Sequence, residues 1–187
     1  MKYFYSLLLV GLIVSCGGEE ATEHDNSNET VDDSLTSSIV EFDLSEERLS
    51  AVDYNNKLTL IQQNVFDQIN VLFLSESSMV AQNHDNVLFE IELKSTDLEN
   101  TTVPEGGASL KQALDDLLSF YKTELKNGFI NMIALLEKEP EDRTHIEGLH
   151  IADYDEQFAI QEEVFFAAIE VEQDKFALAN NIQMTNL

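Results

Sequence analysis

The stretch of the chain that decides its fold is residues 54–72, which read YNNKLTLIQQNVFDQINVL. Its apolar residues recur at steps of three and four, which places them on one stripe of a helix with polar residues around it. We therefore predict an amphipathic helix over residues 45–74, preceded by an approximate capping box at residues 43–46. The predicted stripe consists of Tyr54, Leu58, Ile61, Val65, Ile69 and Leu72.

Three further segments of the chain show a helical period. The second, residues 76–98, is the least regular, because residues 89–93 (FEIEL) alternate as a strand would and leave a short β segment as an alternative. The third, residues 109–138, opens with a capping box and contains Gly128, which destabilises a helix interior by about 1 kcal/mol relative to alanine. The fourth is predicted to begin with a capping box at residues 144–147 and to stop at Asn180-Asn181.

Each segment carries its own apolar stripe, and none is apolar all round, so each needs the others to cover it. Pro104, Gly106, Gly107 and Pro140 break the chain between segments. Four helices joined by short polar breaks predict an all-α fold, an up-down-up-down four-helix bundle over residues 43–187. The predicted core residues of the last three helices are Met79, Val80, Val87, Ile91 and Leu98, then Leu114, Leu117, Tyr121, Leu125, Met132 and Leu136, then Ile151, Tyr154, Phe158, Phe165, Ile169 and Phe176.

The beginning of the chain carries the parts of an export signal. Lys2 supplies the positive charge, residues 7–14 the apolar stretch, and Ser15 the small residue before Cys16. The apolar stretch is too short to span a bilayer, since its helix would rise ~12 Å against a hydrocarbon core of about 30 Å. Residues 13–16 (IVSC) resemble the lipobox of bacterial lipoproteins, which implies removal of a signal peptide, residues 1–15, and acylation of Cys16. An ordinary signal peptide with an unlipidated cysteine is the alternative.

Acyl chains on Cys16 would anchor the chain to a membrane, because two or more chains bury enough methylenes, at about 0.8 kcal/mol each, for lasting attachment. Gly17 rather than an aspartate follows, which favours the outer membrane, and Glu19-Glu20 resemble the surface-export signal of Bacteroidetes lipoproteins. We expect an outer-membrane lipoprotein, with periplasmic and cell-surface orientations both open. Residues 16–42 comprise the lipidated cysteine and a stretch rich in Ser, Thr, Asn, Asp and Glu, which predicts a disordered acidic tether.

The charge of the chain restricts its partners. The sequence contains 10 basic and 36 acidic residues, a formal net charge of −26, and loss of Lys2 with the signal would make it one charge more negative. Such a chain should repel nucleic acid and anionic lipid headgroups. The remaining candidates are the membrane reached through the lipid anchor, a basic protein and a divalent cation, while solubility alone is the plain alternative.

The sequence offers little support for catalysis. It lacks a glycine-rich phosphate loop and a Gly-x-Ser-x-Gly elbow, and Cys16 is its single cysteine. Carboxylates are so frequent that no pair stands out as acid and base. We therefore predict no catalytic residue and no cofactor besides the covalent lipid on Cys16, and we expect a non-catalytic role in binding, adhesion or envelope architecture.

A metal-binding bundle is the alternative function. Di-iron helical bundles use paired Glu-x-x-His motifs together with further glutamates, and residues 147–150 (EGLH) fit one such motif. The candidate ligands for iron, manganese or zinc are therefore His145, Glu147 and His150. A second motif is absent from the sequence, and the candidates fall at the start of the fourth helix rather than at mid-bundle. His84 is expected on the surface of the second helix.

Several short motifs of the predicted helices resemble one family. They are residues 54–56 (YNN) with 61–62 (IQ), residues 120–122 (FYK) and residues 176–182 (FALANNI). These motifs are similar to those of an uncharacterised family of helical surface lipoproteins from spirochaetes and Bacteroidetes. The resemblance covers most of residues 45–184 and implies a helical bundle and a surface location, but it implies no activity.

Overall fold

The computed structural model describes residues 46–182. The predicted signal peptide, Cys16, the tether and most of the first capping box lie outside these residues. The described part of the chain is all-α and contains no strand, which confirms the all-α part of the prediction. None of its helices combines the length and the hydropathy that a membrane span requires.

Four long helical segments make up most of the described residues. The β alternative for residues 89–93 is wrong, because this stretch lies inside a helix that buries Ile91 and exposes Phe89 and Leu93. The third segment is interrupted by a π turn, which the sequence did not predict. The elements are α1 (Glu46–Phe73), a 3₁₀ turn (Ser77–Met79), α2 (Val80–Glu99), α3 (Ala108–Glu124), the π turn (Leu125–Phe129), α4 (Ile130–Leu136), a second 3₁₀ turn (Pro140–Asp142) and α5 (His145–Ala179).

The apolar stripes of the helices meet in one core. Helix α1 packs mainly on α2, α3 packs mainly on α5, and α2 also packs on α3. All six predicted stripe residues of α1 are buried, which confirms that stripe. Met79 is exposed, contrary to the prediction, because it ends the 3₁₀ turn before α2 begins. Among the largest fully buried side chains are Tyr121, Phe129, Phe158 and Phe176.

Side-chain contacts join α1 to α5. The rings of Tyr54 and Phe176 lie 5.3 Å apart, and the Nε2 group of Gln173 donates to Oδ1 of the buried Asn55 at 3.0 Å. A buried amide oxygen is costly without a hydrogen-bond partner, so this bond favours one register of α1 against α5, although Nδ2 of Asn55 has no partner among the described residues.

Two sets of contacts show which helix ends lie together. At one end, Tyr54 Oη donates to the carbonyl oxygen of Gly107 at 2.8 Å. At the other, the ring of Phe73 lies 5.5 Å from that of Phe129 and 5.0 Å from that of Phe158. The first half of α1 therefore lies beside the turn between α2 and α3, and its end lies beside the π turn and the first half of α5.

The predicted capping signals are confirmed in part. Thr144 forms a full capping box with Glu147 at the start of α5, as predicted. The capping box predicted at Ser109 is wrong, because the N-cap residue is Gly107, two residues earlier, and α3 makes no side-chain cap bond. The backbone N–H groups at the start of a helix can find partners in several ways, so a matching residue spacing does not by itself fix the helix boundary.

The end of α5 is a Schellman motif, which confirms the predicted stop. Asn181 adopts a left-handed φ of 52°, and the N–H of Ile182 donates to the carbonyl oxygen of Ala177 at 2.8 Å. Asparagine tolerates this conformation better than most residues, since its short polar side chain bonds locally.

The π turn contains Gly128, and the packing of α5 explains why. A Cβ atom at residue 128 would lie 2.9 Å from Cε2 of Tyr154 and 2.7 Å from Oε2 of Glu124. The ring of Tyr154 thus occupies the space that any side chain on residue 128 would need. The sequence predicted a tolerated glycine, whereas the close approach of α5 requires one.

Candidate functional site

The predicted metal ligands lie at the start of α5, where Glu147 has other partners. Its Oε2 accepts from the backbone N–H of Thr144 at 2.8 Å, and its Oε1 accepts from Nζ of Lys138. The Lys138 ammonium, followed by Thr144, lowers the pKa of Glu147 to about 2. His145 and His150 are exposed. Within the described residues, no three His, Cys, Asp or Glu side chains come together as metal ligands.

His84 is buried, so the prediction of a surface position is wrong. It is 4% exposed, its Nε2 lies 3.0 Å from the carbonyl oxygen of Leu125, and its ring stacks on Phe129 at 5.9 Å. A carbonyl only accepts, so Nε2 carries the proton of this hydrogen bond. His84 lies between Val80 and Val87 at helical steps and continues their buried row. Because histidine is polar, a surface position was predicted instead.

A carboxyl group is buried between α3 and α5. Glu162 is 4% exposed, and Tyr121 Oη donates to its Oε1 at 2.7 Å. Burial raises the pKa of Glu162 to about 7, and the hydrogen bond from Tyr121 offsets part of that rise. Burial, reinforced by the Glu162 carboxylate, also raises the pKa of Tyr121 well above its ordinary value. Both side chains are buried, so the pair lies inside the interface between α3 and α5.

Tyr154 holds α5 against the π turn. Its Oη is buried and has no hydrogen-bond partner among the described residues. Burial, and to a lesser degree the carboxylate of Glu124, raises the pKa of Tyr154 above its ordinary value. The phenol therefore stays neutral at physiological pH, and its ring supplies the contact with Gly128.

The outward face of α5 carries a stripe of apolar side chains. Ile160, Val164, Ala167 and Val171 follow one another at steps of four, three and four, and are termed here the outer stripe. Ile160, Val164 and Val171 are 51%, 65% and 51% exposed, and Ala167 is also exposed. Because α5 buries Phe158, Ile169 and Phe176 on its opposite face, it is apolar on two sides. The sequence-based prediction named only the inner stripe of α5 and not this outer one.

Acidic side chains border the outer stripe on one side. Glu156, Glu163 and Glu170 follow one another at steps of seven, which places them in a row along the helix, and all three are exposed. Lys175 is the single lysine or arginine of α5, and its Nζ lies 2.6 Å from Oε1 of Glu172. The border of the stripe is therefore strongly negative.

An open groove between α3 and α5 adjoins the outer stripe on its other side. The groove has a volume of about 380 Å³. Val164 belongs to both the stripe and the groove, and the carboxylates of Asp116 and Glu172 lie in the groove wall. Apolar side chains of a partner could enter here, with carboxylates on either side of them. Its apolar lining includes Ala113, Val164, Phe165 and Ala168.

The comparisons with known proteins do not identify this site. The chain matches no family model, no curated protein and no solved structure. The suspected membership of a helical surface lipoprotein family therefore stays a prediction.

The outer stripe could have been predicted from the sequence. Residues 160, 164, 167 and 171 show the helical period as clearly as the core stripe does. Only one row of α5 was predicted to lie in the core, the row that contains Phe158, Phe165 and Ile169. A second apolar row on the same helix is the signal that points to a partner surface.

Proposed function

We propose that this chain is a non-catalytic, membrane-anchored binding protein that holds a partner on the outer stripe of α5. The observation that carries the proposal is the outer stripe itself. Its four apolar residues are exposed and contiguous, although α5 already fills its place in the core with Phe158 and Phe176. Contiguous exposed apolar residues with a polar border are typical of interaction surfaces, and a helix face of this kind suits a helical partner.

We propose an up-down-up-down bundle as the scaffold of this surface. The contact of Tyr54 with Gly107 and the contacts of Phe73 with Phe129 and Phe158 support it, because they group the helix ends as that topology requires. In such a bundle α5 contacts α3 and α1 through its inner side and keeps its outer stripe free for a partner.

The proposed anchor is lipid on Cys16, followed by the tether of residues 16–42, at the outer membrane. Support comes from the lipobox-like residues 13–16 and from Gly17 behind the cysteine. Palmitate labelling and membrane fractionation of Cys16→Ser test the anchor. We expect the variant to lose the label and to leave the membrane fraction. A labelled, membrane-bound Cys16→Ser protein would contradict it.

The binding role is tested by labelling the outer stripe in the cell envelope. Val164→Cys places a thiol on the stripe, and Leu60→Cys places one on α1, where Leu60 is 57% exposed. Both variants should react fully with a membrane-permeant maleimide when purified. In the envelope, we expect several-fold slower labelling of the Val164→Cys variant and unchanged labelling of the Leu60→Cys variant. Equal labelling of the two variants in both settings would refute the binding role.

A further inference from the structure

The charges around the outer stripe indicate the chemistry of its partner. Building on the binding role proposed above, we propose that the outer stripe and the adjoining groove bind an amphipathic helix whose apolar face is flanked by lysine or arginine residues.

The spacing of the outer stripe fits a helix rather than a strand or an extended peptide. Its steps of four, three and four are those of a seam between two packed helices. From Ile160 to Val171 the seam rises ~16 Å, about three helical turns, and a partner helix of that length could cover it. Ala167 is the smallest member of the stripe and leaves room for a larger apolar side chain of the partner.

Acidic groups on both sides of the stripe favour a partner helix with basic residues beside its apolar face. The row of Glu156, Glu163 and Glu170 lies on one side. Asp116 and Glu172 lie in the groove on the other, where Glu172 also pairs with Lys175. Lysine and arginine can lay their aliphatic stems along apolar surface while their charged ends reach such carboxylates. Opposite charges at the edge of an apolar contact also speed association and exclude partners with the wrong charge.

A second copy of this chain is a poor occupant of the stripe. Asp174 lies three residues after Val171 and continues the line of the stripe. Two parallel copies would place Asp174 near its counterpart in the seam, and two antiparallel copies would bring the Glu156, Glu163 and Glu170 rows together. Like charges that face each other across a helical seam oppose association.

Two other occupants are disfavoured by charge. Residues 17–42 of this chain contain eight acidic residues and no lysine or arginine, so the acidic border would repel them. An anionic lipid surface would be repelled in the same way. A basic helix satisfies the apolar and the charged features of the site together.

The test is a titration of the full-length lipidated protein in zwitterionic nanodiscs, with empty nanodiscs as the blank. The probe is a labelled synthetic helix of about three heptads with leucine at the seam positions and lysine on the flanks. One control peptide has the same composition in scrambled order, and another replaces lysine with glutamate. Fluorescence anisotropy gives the dissociation constant of each peptide.

We expect the lysine-flanked helix to bind at least about tenfold more tightly than either control peptide, a difference of about 1.4 kcal/mol. The double variant Val164→Asn/Val171→Asn should weaken its binding by about tenfold or more. The matched double variant Leu60→Asn/Val71→Asn changes two exposed apolar residues of α1 and should leave binding unchanged. Melting curves by circular dichroism confirm that both double variants remain folded.

Several results would overturn the proposal. Equal binding of the scrambled peptide would show that charge alone drives binding. Unchanged binding by the Val164→Asn/Val171→Asn variant would show that the peptide binds elsewhere. A dimer in sedimentation that Val164→Asn/Val171→Asn dissociates would assign the stripe to a second copy. If the peptide fails while the maleimide protection of the Val164→Cys variant persists, only the basic-helix partner is wrong. If the protection is absent as well, the binding role fails with it.

Discussion

Tyr121 Oη donates a 2.7 Å hydrogen bond to Glu162 Oε1 inside the interface between α3 and α5. The ring of Phe158 stacks on Tyr121 at 6.0 Å, so the pair is enclosed by aromatic carbon. An ionised carboxylate at this place loses its hydration and keeps the phenol as its hydrogen-bond donor. The protonation of Glu162 therefore influences the stability of the interface that positions α5 and its outer stripe.

Stability should fall as Glu162 ionises. The pKa of Glu162 is about 7 in the fold against an ordinary value of 4.5, so between these values the folded chain holds a proton that the unfolded chain has lost. The retained proton stabilises the fold in full below about pH 4.5. This stabilisation, up to about 3 kcal/mol in the free energy of unfolding, declines above that pH and is lost as the pH rises through about 7. Glu162→Gln should abolish it, which urea unfolding at several pH values measures.

The control for that prediction is Glu163→Gln, which removes one exposed carboxylate beside Glu162. We expect this variant to follow the pH profile of the unchanged protein. Parallel profiles for the unchanged protein and the Glu162→Gln variant would show that Glu162 does not hold the extra proton.

Two glycines should respond in opposite directions to alanine. Gly128→Ala places a methyl group 2.9 Å from Cε2 of the packed Tyr154 ring, so we expect a loss of about 1–3 kcal/mol in the free energy of unfolding. Gly148→Ala meets nothing within 4 Å and lies within α5, so we expect a gain of about 0.5–1 kcal/mol. Chemical denaturation measures both values. Similar effects of the two substitutions would contradict the packing of α5 on the π turn.

The start of α5 should depend on its cap, whereas the start of α3 should not. Thr144→Ala removes the side chain that accepts from the backbone N–H of Glu147, and we expect a loss of about 1 kcal/mol. Ser109→Ala should change the free energy of unfolding by less than about 0.5 kcal/mol, because Ser109 makes no cap bond to α3. Thermal melts of both variants check the prediction, and a larger loss for Ser109→Ala would show that α3 begins differently.

The start of α5 is expected not to be a metal site. Glu147 accepts hydrogen bonds from Thr144 and Lys138 through its two oxygens, and a metal ion would have to displace them. Elemental analysis of the purified protein should therefore find no stoichiometric iron, manganese or zinc. Stoichiometric metal that disappears in His150→Ala would instead establish the metal-binding alternative.

The fold could be predicted where one local rule decided the outcome. The stripe from Tyr54 to Leu72 has a helical period and no competing pattern, and it is buried throughout. The Thr144 cap and the Asn181 stop were predicted for the same reason, because a residue type and a fixed spacing suffice there. Tertiary packing decided what local rules could not, namely the π turn at Gly128.

The polar interior was the part that sequence reasoning missed. His84 and Glu162 lie at buried helical positions, although a polar side chain is expected on the surface unless it has hydrogen-bond partners in the core. Those partners, Leu125 and Tyr121, are each 41 residues away along the chain, so no local pattern reveals them. The outer stripe was different, since its period was visible and only its exposure depended on the fold.

The outer stripe of α5 is proposed to meet a partner in the envelope. Photo-crosslinking in intact cells tests it most directly, with a photoreactive phenylalanine derivative in place of Val164 or, as the control, of Leu60. We expect the Val164 position to give several-fold more adduct, and the captured protein to be basic. Equal yields at the two positions, or an adduct formed only with another copy of this chain, would show that the outer stripe does not hold a basic partner.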